Sequence, residues 1–269
     1  MPATIQQGST GPLVVQLQQM LTAHGLKCVA DGVFGSGTKS LVMQFQRGAG
    51  LGADGVVGPA TWAALESMPG AVDREPPFPL PDILRRIKGL GHRVMWKGDY
   101  HLNLFGIRTV SAQSNSFDDV LGCAYTDKGL WRVHYWPGTC DPGTFYRKNP
   151  MNVRGTAILV EDQYVDAWEI GLHGGAYEAL VQRGQVRVYR DANRNEILDL
   201  DPGTIQPGLF GINIHRSTAS GESTEVDKWS AGCQVHARTD GFNDMMALAR
   251  RQVDSLGIKT FTYTLMKAA

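Results

Sequence analysis

Gly211-Ile212-Asn213-Ile214-His215 and Trp229-Ser230-Ala231-Gly232-Cys233-Gln234-Val235 decide how the larger part of this chain is read. In the first stretch apolar residues carry a histidine to the end of a strand. In the second, small residues surround a cysteine in a Ser-x-Gly-Cys turn. Eighteen positions separate His215 from Cys233. A free thiol is only slightly ionised at neutral pH and becomes a useful nucleophile when an imidazole or backbone amides stabilise its thiolate. The small residues around Cys233 would admit a substrate carbonyl, and the amides of Gly232 and Cys233 would meet a developing oxyanion. His215 would take the thiol proton and later protonate the leaving group. Three further residues are candidates for substrate contact: Arg216, directly after His215; His173, in the Gly-rich turn Gly171-Leu172-His173-Gly174-Gly175; and His236, three positions after Cys233.

The composition excludes several other readings. The 269 residues carry 26 Lys plus Arg against 26 Asp plus Glu, so no net field exists to hold nucleic acid by phosphate neutralisation. No apolar run approaches the roughly 20 residues of a membrane helix. The first residues lack the basic and apolar regions of a secretory signal, so synthesis in the cytoplasm without one is expected. Four cysteines, Cys28, Cys123, Cys140 and Cys233, are too few and too scattered for a disulfide scaffold, and no Cys-x-x-Cys or His-Glu-x-x-His spacing points to zinc. A monomer is expected.

An internal repeat marks a separate N-terminal unit. Asp31-Gly32-Val33-Phe34-Gly35-Ser36-Gly37-Thr38 recurs as Asp54-Gly55-Val56-Val57-Gly58-Pro59-Ala60-Thr61. In each copy Asp-Gly makes a turn needing positive φ, two apolar residues cross the core, and a helix follows the second glycine. Pro59 suits a first helical turn. Val14, Leu17 and Leu21, then Leu41 and Phe45, then Trp62 and Leu65 fall at helical spacing. Residues 1–67 are therefore expected to form a small three-helix domain, with Cys28 as a small core residue. Residues 68–81 contain five prolines in fourteen positions and read as a semi-rigid linker.

From residue 82 the pattern changes. A helix is expected over 82–89, with Ile83, Leu84 and Ile87 on one side. Short β-rich segments follow at 156–160, 164–168, 179–182, 185–189, 210–215 and 259–265, with one amphipathic helix over 241–255. The chain is α+β, and residues 82–269 should be a mainly antiparallel β domain with a few helices. Asp191, Asn193, Asn195 and Asp199 place oxygen side chains at alternate positions, like the front half of a calcium loop. Glu196 stands where that loop has glycine, and an Asx-rich turn between strands is the alternative.

The doubled Asp-Gly-x-x-Gly-x-x-Thr pattern resembles the peptidoglycan-binding domain found on bacterial and phage cell-wall enzymes, which implies binding of wall polymer beside the repeat loops. The His215–Cys233 pair and the Ser-x-Gly-Cys turn resemble the L,D-transpeptidase catalytic family. That resemblance covers roughly residues 130–250, and Gly138-Thr139-Cys140-Asp141-Pro142-Gly143-Thr144-Phe145 is similar to the family's stretch before a core strand. It implies that Cys233 is the nucleophile, His215 the base, and Ser230 and Gly232 parts of the catalytic turn. Ala231 stands where the family has a second histidine, Gln234 where it has an apolar residue, and Val235 where it has Arg or Asn. Together the two resemblances imply a wall peptidase like a phage endolysin, acting after release from the cell, with a remodelling transpeptidase or a non-catalytic wall binder as alternatives.

Overall fold

The computed structural model describes residues 3–24, 26, 28–67, 79–96, 98–109 and 115–268. The chain divides into two compact units, Met1–Phe78 and Pro79–Ala269. Of the proline-rich linker, residues 68–78 lie outside the described residues.

The N-terminal unit has the three helices that the spacing predicts: α1 (Pro12–Ala23), α2 (Ser36–Gly48) and α3 (Pro59–Ser67). Its core is Val14, Leu17, Leu21, Phe34, Val42, Phe45, Val57, Trp62 and Leu65. Only the second apolar residue of each repeat enters it: Phe34 and Val57 are fully buried, while Val33 is half exposed. The first of each pair instead turns outward, as alternation along an extended segment requires. Gly32 and Gly55 have φ of 73° and 74°, as the Asp-Gly turns require.

Each turn is closed by a buried glutamine that the repeat alone does not reveal. Gln18 Nε2 donates to Asp31 Oδ1, Val33 O and Thr38 Oγ1, and its Oε1 accepts from Gly32 N. Gln46 makes the same set with Asp54, Val56, Thr61 and Gly55. One side chain thus satisfies four polar groups in each loop. The amides of Val33 and Val56, then the two glutamines, hold Asp31 and Asp54 below the usual carboxylate range.

The C-terminal unit opens with α4 (Asp82–Gly89), whose Ile83, Leu84 and Ile87 pack on Phe105, Ala124 and Met266. Eight strands then close into a barrel: β1 (Asn103–Arg108), β2 (Asp119–Asp127), β3 (Leu130–Thr139), β5 (Gln163–His173), β6 (Tyr177–Gln182), β9 (Ile214–Arg216), β10 (Gln234–His236) and β11 (Thr260–Lys267). Going round, the order is β1-β11-β5-β6-β9-β10-β3-β2. A second sheet is built from β4 (Thr156–Leu159), β7 (Val186–Asp191) and β8 (Gln206–Gly208), in the order β4-β7-β8. Two further α-helices belong to the unit: the short α5 (Thr144–Lys148) and the long α6 (Thr239–Leu256), which buries Phe242, Met245, Met246 and Ala249.

The α+β class stands, but the expected simple antiparallel sheet does not. The barrel contains two parallel pairings, β1 with β11 and β9 with β10. Closure explains the first, since the C-terminal strand lies beside the first and leaves no free edge. The expected strand over 210–215 is also shorter. The amides of Phe210 and Ile212 donate to the side chain of Gln182, so ladder pairing begins only at Ile214.

Candidate active site

The parallel pairing of β9 with β10 brings the two quoted stretches together. Val235 lies opposite His215 and Gln234 opposite Ile214. One residue earlier, the backbone amide of Asn213 donates to Cys233 Sγ at 3.4 Å, and the thiol donates to Gly211 O at 3.5 Å. Strand alternation places Gly211, Asn213 and His215 on one face, while Ile212 and Ile214 turn into the hydrophobic core.

The hydrogen bonds fix the protonation pattern of this face. His215 Nδ1 lies 2.7 Å from Arg216 O, an atom that only accepts, so Nδ1 carries the proton. Nε2 is then the basic nitrogen, and it is buried with no hydrogen-bond partner. Tyr177 Oη donates to the same carbonyl at 3.3 Å. His173 stacks on His215 with ring centroids 4.0 Å apart. Its Nδ1 accepts from Asn213 Nδ2, whose assignment is set by Asn213 Oδ1 accepting from Gln182 N. Asn213 therefore joins the thiol and the outer imidazole, and Tyr177 braces the carbonyl that orients the inner one. Sequence reading missed both. The signal for Asn213 was present, since it stands two positions before His215 on one face of a strand; Tyr177 lies on a different strand and had none.

The turn before the thiol is held by Ser230. Its hydroxyl accepts from Gly232 N at 3.1 Å and donates to Cys233 O at 2.9 Å. Gly232 has φ of 124°, and a Cβ there would fall 2.2 Å from Ala157 O, so no other residue fits. The expectation that both the Gly232 and Cys233 amides face an oxyanion needs correcting. Ser230 consumes the first, and of the two only the Cys233 amide is left without a hydrogen bond to the described residues. Gly143 N donates to Ser230 O, which ties the Gly138–Phe145 stretch to the same turn. That stretch closes β3 and enters α5, rather than leading straight into a strand.

Gln234, in place of an apolar residue, is fully buried and partnered. Its Oε1 accepts from Tyr263 Oη at 2.8 Å, and its Nε2 reaches Cys140 O and Gly232 O. Cys140 O also accepts from Arg108, whose guanidinium binds Asp141 and Glu161 at 2.8 and 2.7 Å beneath the site. Nearby, burial and the charge of Asp141 push Asp119 up to about 7, against the amides of Cys140 and Thr109.

The substrate-contact candidates fare differently. His173 is half-buried in the cluster itself. Arg216 lays its guanidinium over the Tyr177 ring at 4.4 Å and lends its carbonyl to His215. His236 lies an odd number of residues from Cys233 and turns away from it. It is fully buried against Trp136, Phe242 and Met245 and cannot touch a substrate from there. The calcium expectation also meets a different arrangement. The buried Arg147 guanidinium binds Asp191 and Ile197 O, the first and seventh oxygens of the would-be loop, so a side-chain cation occupies that role. Asn193 donates to Asp199, and Asn193 and Asn195 accept from amides two residues on, as in an Asx-rich turn.

Electrostatics hold the resting pair neutral. Burial pushes the Cys233 thiol up to about 11, opposed by the Asn213 amide. Burial, reinforced by His173, pushes His215 down to about 3, opposed by the Arg216 carbonyl. The site thus sets a protonated thiol on the same sheet face as an unprotonated imidazole that is oriented through Nδ1 and unpartnered at Nε2. Among the described residues no group of three or more His, Cys, Asp or Glu is arranged to hold a metal ion, and no helix is long and apolar enough to cross a membrane.

Residues 10–65 match the family described as putative peptidoglycan binding domain, so the chain carries a module of that kind. Over 62 residues the chain is 44% identical to a zinc D-Ala-D-Ala carboxypeptidase of Streptomyces albus G, covering 22% of this chain and 24% of that protein. Over 88 residues it is 35% identical to a probable N-acetylmuramoyl-L-alanine amidase of Bacillus licheniformis, covering 31% and 25%. A solved Burkholderia AP3 phage endolysin is 36% identical over 33% of each chain, with a TM-score of 0.24. The chain spans about a quarter of the length of the curated relatives it matches.

Proposed function

We propose that this chain is a cysteine-dependent peptidoglycan peptidase, with residues 10–65 holding the barrel on its polymer. The observation that carries the reading is the buried His215, oriented through Nδ1 and open at Nε2, beside a thiol on the same face of adjoining strands. Cys233 Sγ attacks the carbonyl carbon of the L,D peptide bond after the diamino acid of a stem peptide, and its proton passes to Nε2. The Cys233 amide faces the oxyanion. The C–N bond breaks, His215 returns the proton to the leaving D-alanyl amine, and a thioester remains on Cys233. Water, deprotonated by His215, then hydrolyses the thioester and restores the thiol. Linking a binding module to the catalyst raises local substrate concentration without new catalytic contacts.

The test is a muropeptide digest. Wild type and Cys233→Ala are incubated with Gram-negative sacculi and the products weighed by mass spectrometry. New uncross-linked tripeptides from the wild type alone, each carrying one added water, are expected. Exchanged or newly cross-linked stems would make the protein a transpeptidase. Equal products from both proteins would remove Cys233 from the mechanism, and wall binding with no product from either would leave only the binding module.

A further inference from the structure

A cleft of about 300 Å³ adjoins the catalytic turn. Three of its walls adjoin the turn and the strand that hold the thiol. Ala231 stands two residues before Cys233, Ala157 supplies the carbonyl against which Gly232 packs, and Phe210 precedes Gly211, whose carbonyl accepts the thiol. The remaining surface is partly apolar, with Leu209 and Met151 largely exposed at the rim.

One lining residue is charged. Arg190 is half-buried, and no acidic side chain lines the cleft with it. Its Nε is held by Gln206 Oε1 and its Nη1 by Gly155 O, both at 3.1 Å, while its plane rests on the Phe210 ring at 4.9 Å. These contacts fix the guanidinium, and among the described residues nothing accepts from Nη2 and no carboxylate pairs with it. Burial, then the nearby Arg154, depresses its proton affinity, the sign of a cation partly stripped of water beside a like charge. A partly desolvated, immobilised guanidinium without a counterion gains when an anion arrives to pair with it, and its fork suits a carboxylate.

We propose that this cleft is the subsite for a carboxylate of the acyl-donor stem peptide, with Arg190 as its receptor. The proposal rests on the peptidase reading for the identity of the substrate. Two groups of one stem carry the required chemistry: the side-chain carboxylate of the diamino acid and the terminal carboxylate of the D-alanine that follows it. Arg190 selects stems in which that group is free, and amidation of it weakens binding.

Calorimetry on the full chain carrying Cys233→Ala separates these points without depending on turnover. The probes are the tetrapeptide stem with diaminopimelate, the same stem amidated on the diamino acid side chain, and the stem ending in D-alaninamide. One of the two amidations is expected to weaken binding about tenfold or more, as loss of a charge-assisted bond does, and identifies the group. Arg190→Gln should remove that difference, and Arg190→Lys should keep part of it, with unchanged thermal midpoints as the control for folding. Equal affinity for all three peptides, binding of none, or discrimination that persists in Arg190→Gln would each overturn the proposal. Carboxylate-dependent binding of a stem that the wild type does not cleave would leave the subsite standing and refute the peptidase reading.

Discussion

The repeat loops of the N-terminal unit and the Cys233 turn of the barrel both place buried polar side chains among tight glycine turns, with opposite outcomes. Gln18 and Gln46 commit both their donor and their acceptor groups to the loops they close. His215 satisfies Nδ1 and leaves Nε2 buried without a partner. Buried polar groups are nearly always paired, because an unpaired one costs about 1–3 kcal/mol. A fully paired group contributes stability; one left buried without a partner withholds it and keeps a lone pair free for chemistry. The difference separates the closed loops of the N-terminal unit from the proposed reactive centre of the barrel.

The largest effect should come from the thiol. Cys233→Ala should reduce muropeptide hydrolysis by about 10⁴-fold or more, as removal of a catalytic nucleophile does, while sacculus binding and the thermal midpoint stay put. Loss of wall binding in this variant would mean the two units are not functionally separable. Next comes the open nitrogen. His215→Leu should lower activity by about 10²- to 10⁴-fold. It should also leave the barrel as stable as before or more so, since it replaces an unsatisfied buried polar group with an apolar one. A large drop in thermal midpoint would show that His215 is chiefly structural and would dissolve the contrast with the glutamines.

Legibility followed the same divide. The N-terminal unit could be read because its information is local and written twice; even so, Gln18 and Gln46 were overlooked, since they stand on the helices before the repeats. In the barrel, α4, α6 and β11 follow short-range periodicity and were visible. The β1, β2 and β3 strands were not, partly because Gly106 and Gly122 interrupt the apolar pattern. A Cβ at Gly106 would meet Tyr263 Oη at 2.0 Å and one at Gly122 the Phe105 ring at 2.2 Å, so these glycines serve close approach and not turns. The expectation that the His215 and Cys233 stretches meet came from residue types and spacing, but their adjacency depends on parallel pairing between two three-residue strands far too short to declare themselves. The burial of His236 and the Arg147 contact with Asp191 are likewise products of tertiary packing.

The glutamines supply the converse test. Gln46→Leu strands the amide of Gly55 and the carboxylate of Asp54 without their side-chain partner, and should destabilise the N-terminal unit by about 1–3 kcal/mol for the amide lost. Gln18→Leu should cost the same within error, because the two sets of contacts match atom for atom. Denaturant unfolding followed by Trp62 fluorescence reads both. Turnover of a soluble tetrapeptide should be unaffected in either variant. Unequal losses would show that the repeats, alike in geometry, differ in energy.

The smallest expected effect is an absence of pH response where an exposed Cys/His pair would titrate. Burial keeps the imidazole of His215 unprotonated down to about 3 and the thiol of Cys233 protonated up to about 11. The groups facing His215 keep this direction: His173 and His236 are themselves shifted down by burial, and His173 lowers His215 further, while the Tyr177 phenol is shifted up and the Arg216 guanidinium is stacked on Tyr177. Falling pH charges the imidazole only below its lowered value, and rising pH ionises the thiol only above its raised one, so the protonation state of the pair is constant between them. kcat/KM for a soluble stem peptide should therefore stay level from roughly pH 5 to roughly pH 9. Alkylation of Cys233 by iodoacetamide in the free protein should be slow at neutral pH, because the thiol carries the proton until a substrate carbonyl is in place. An acid limb near the ordinary imidazole value, together with rapid alkylation at pH 7, would mean that the pair rests as a thiolate and an imidazolium. The open Nε2 would then already hold the proton that this geometry assigns to the sulfur.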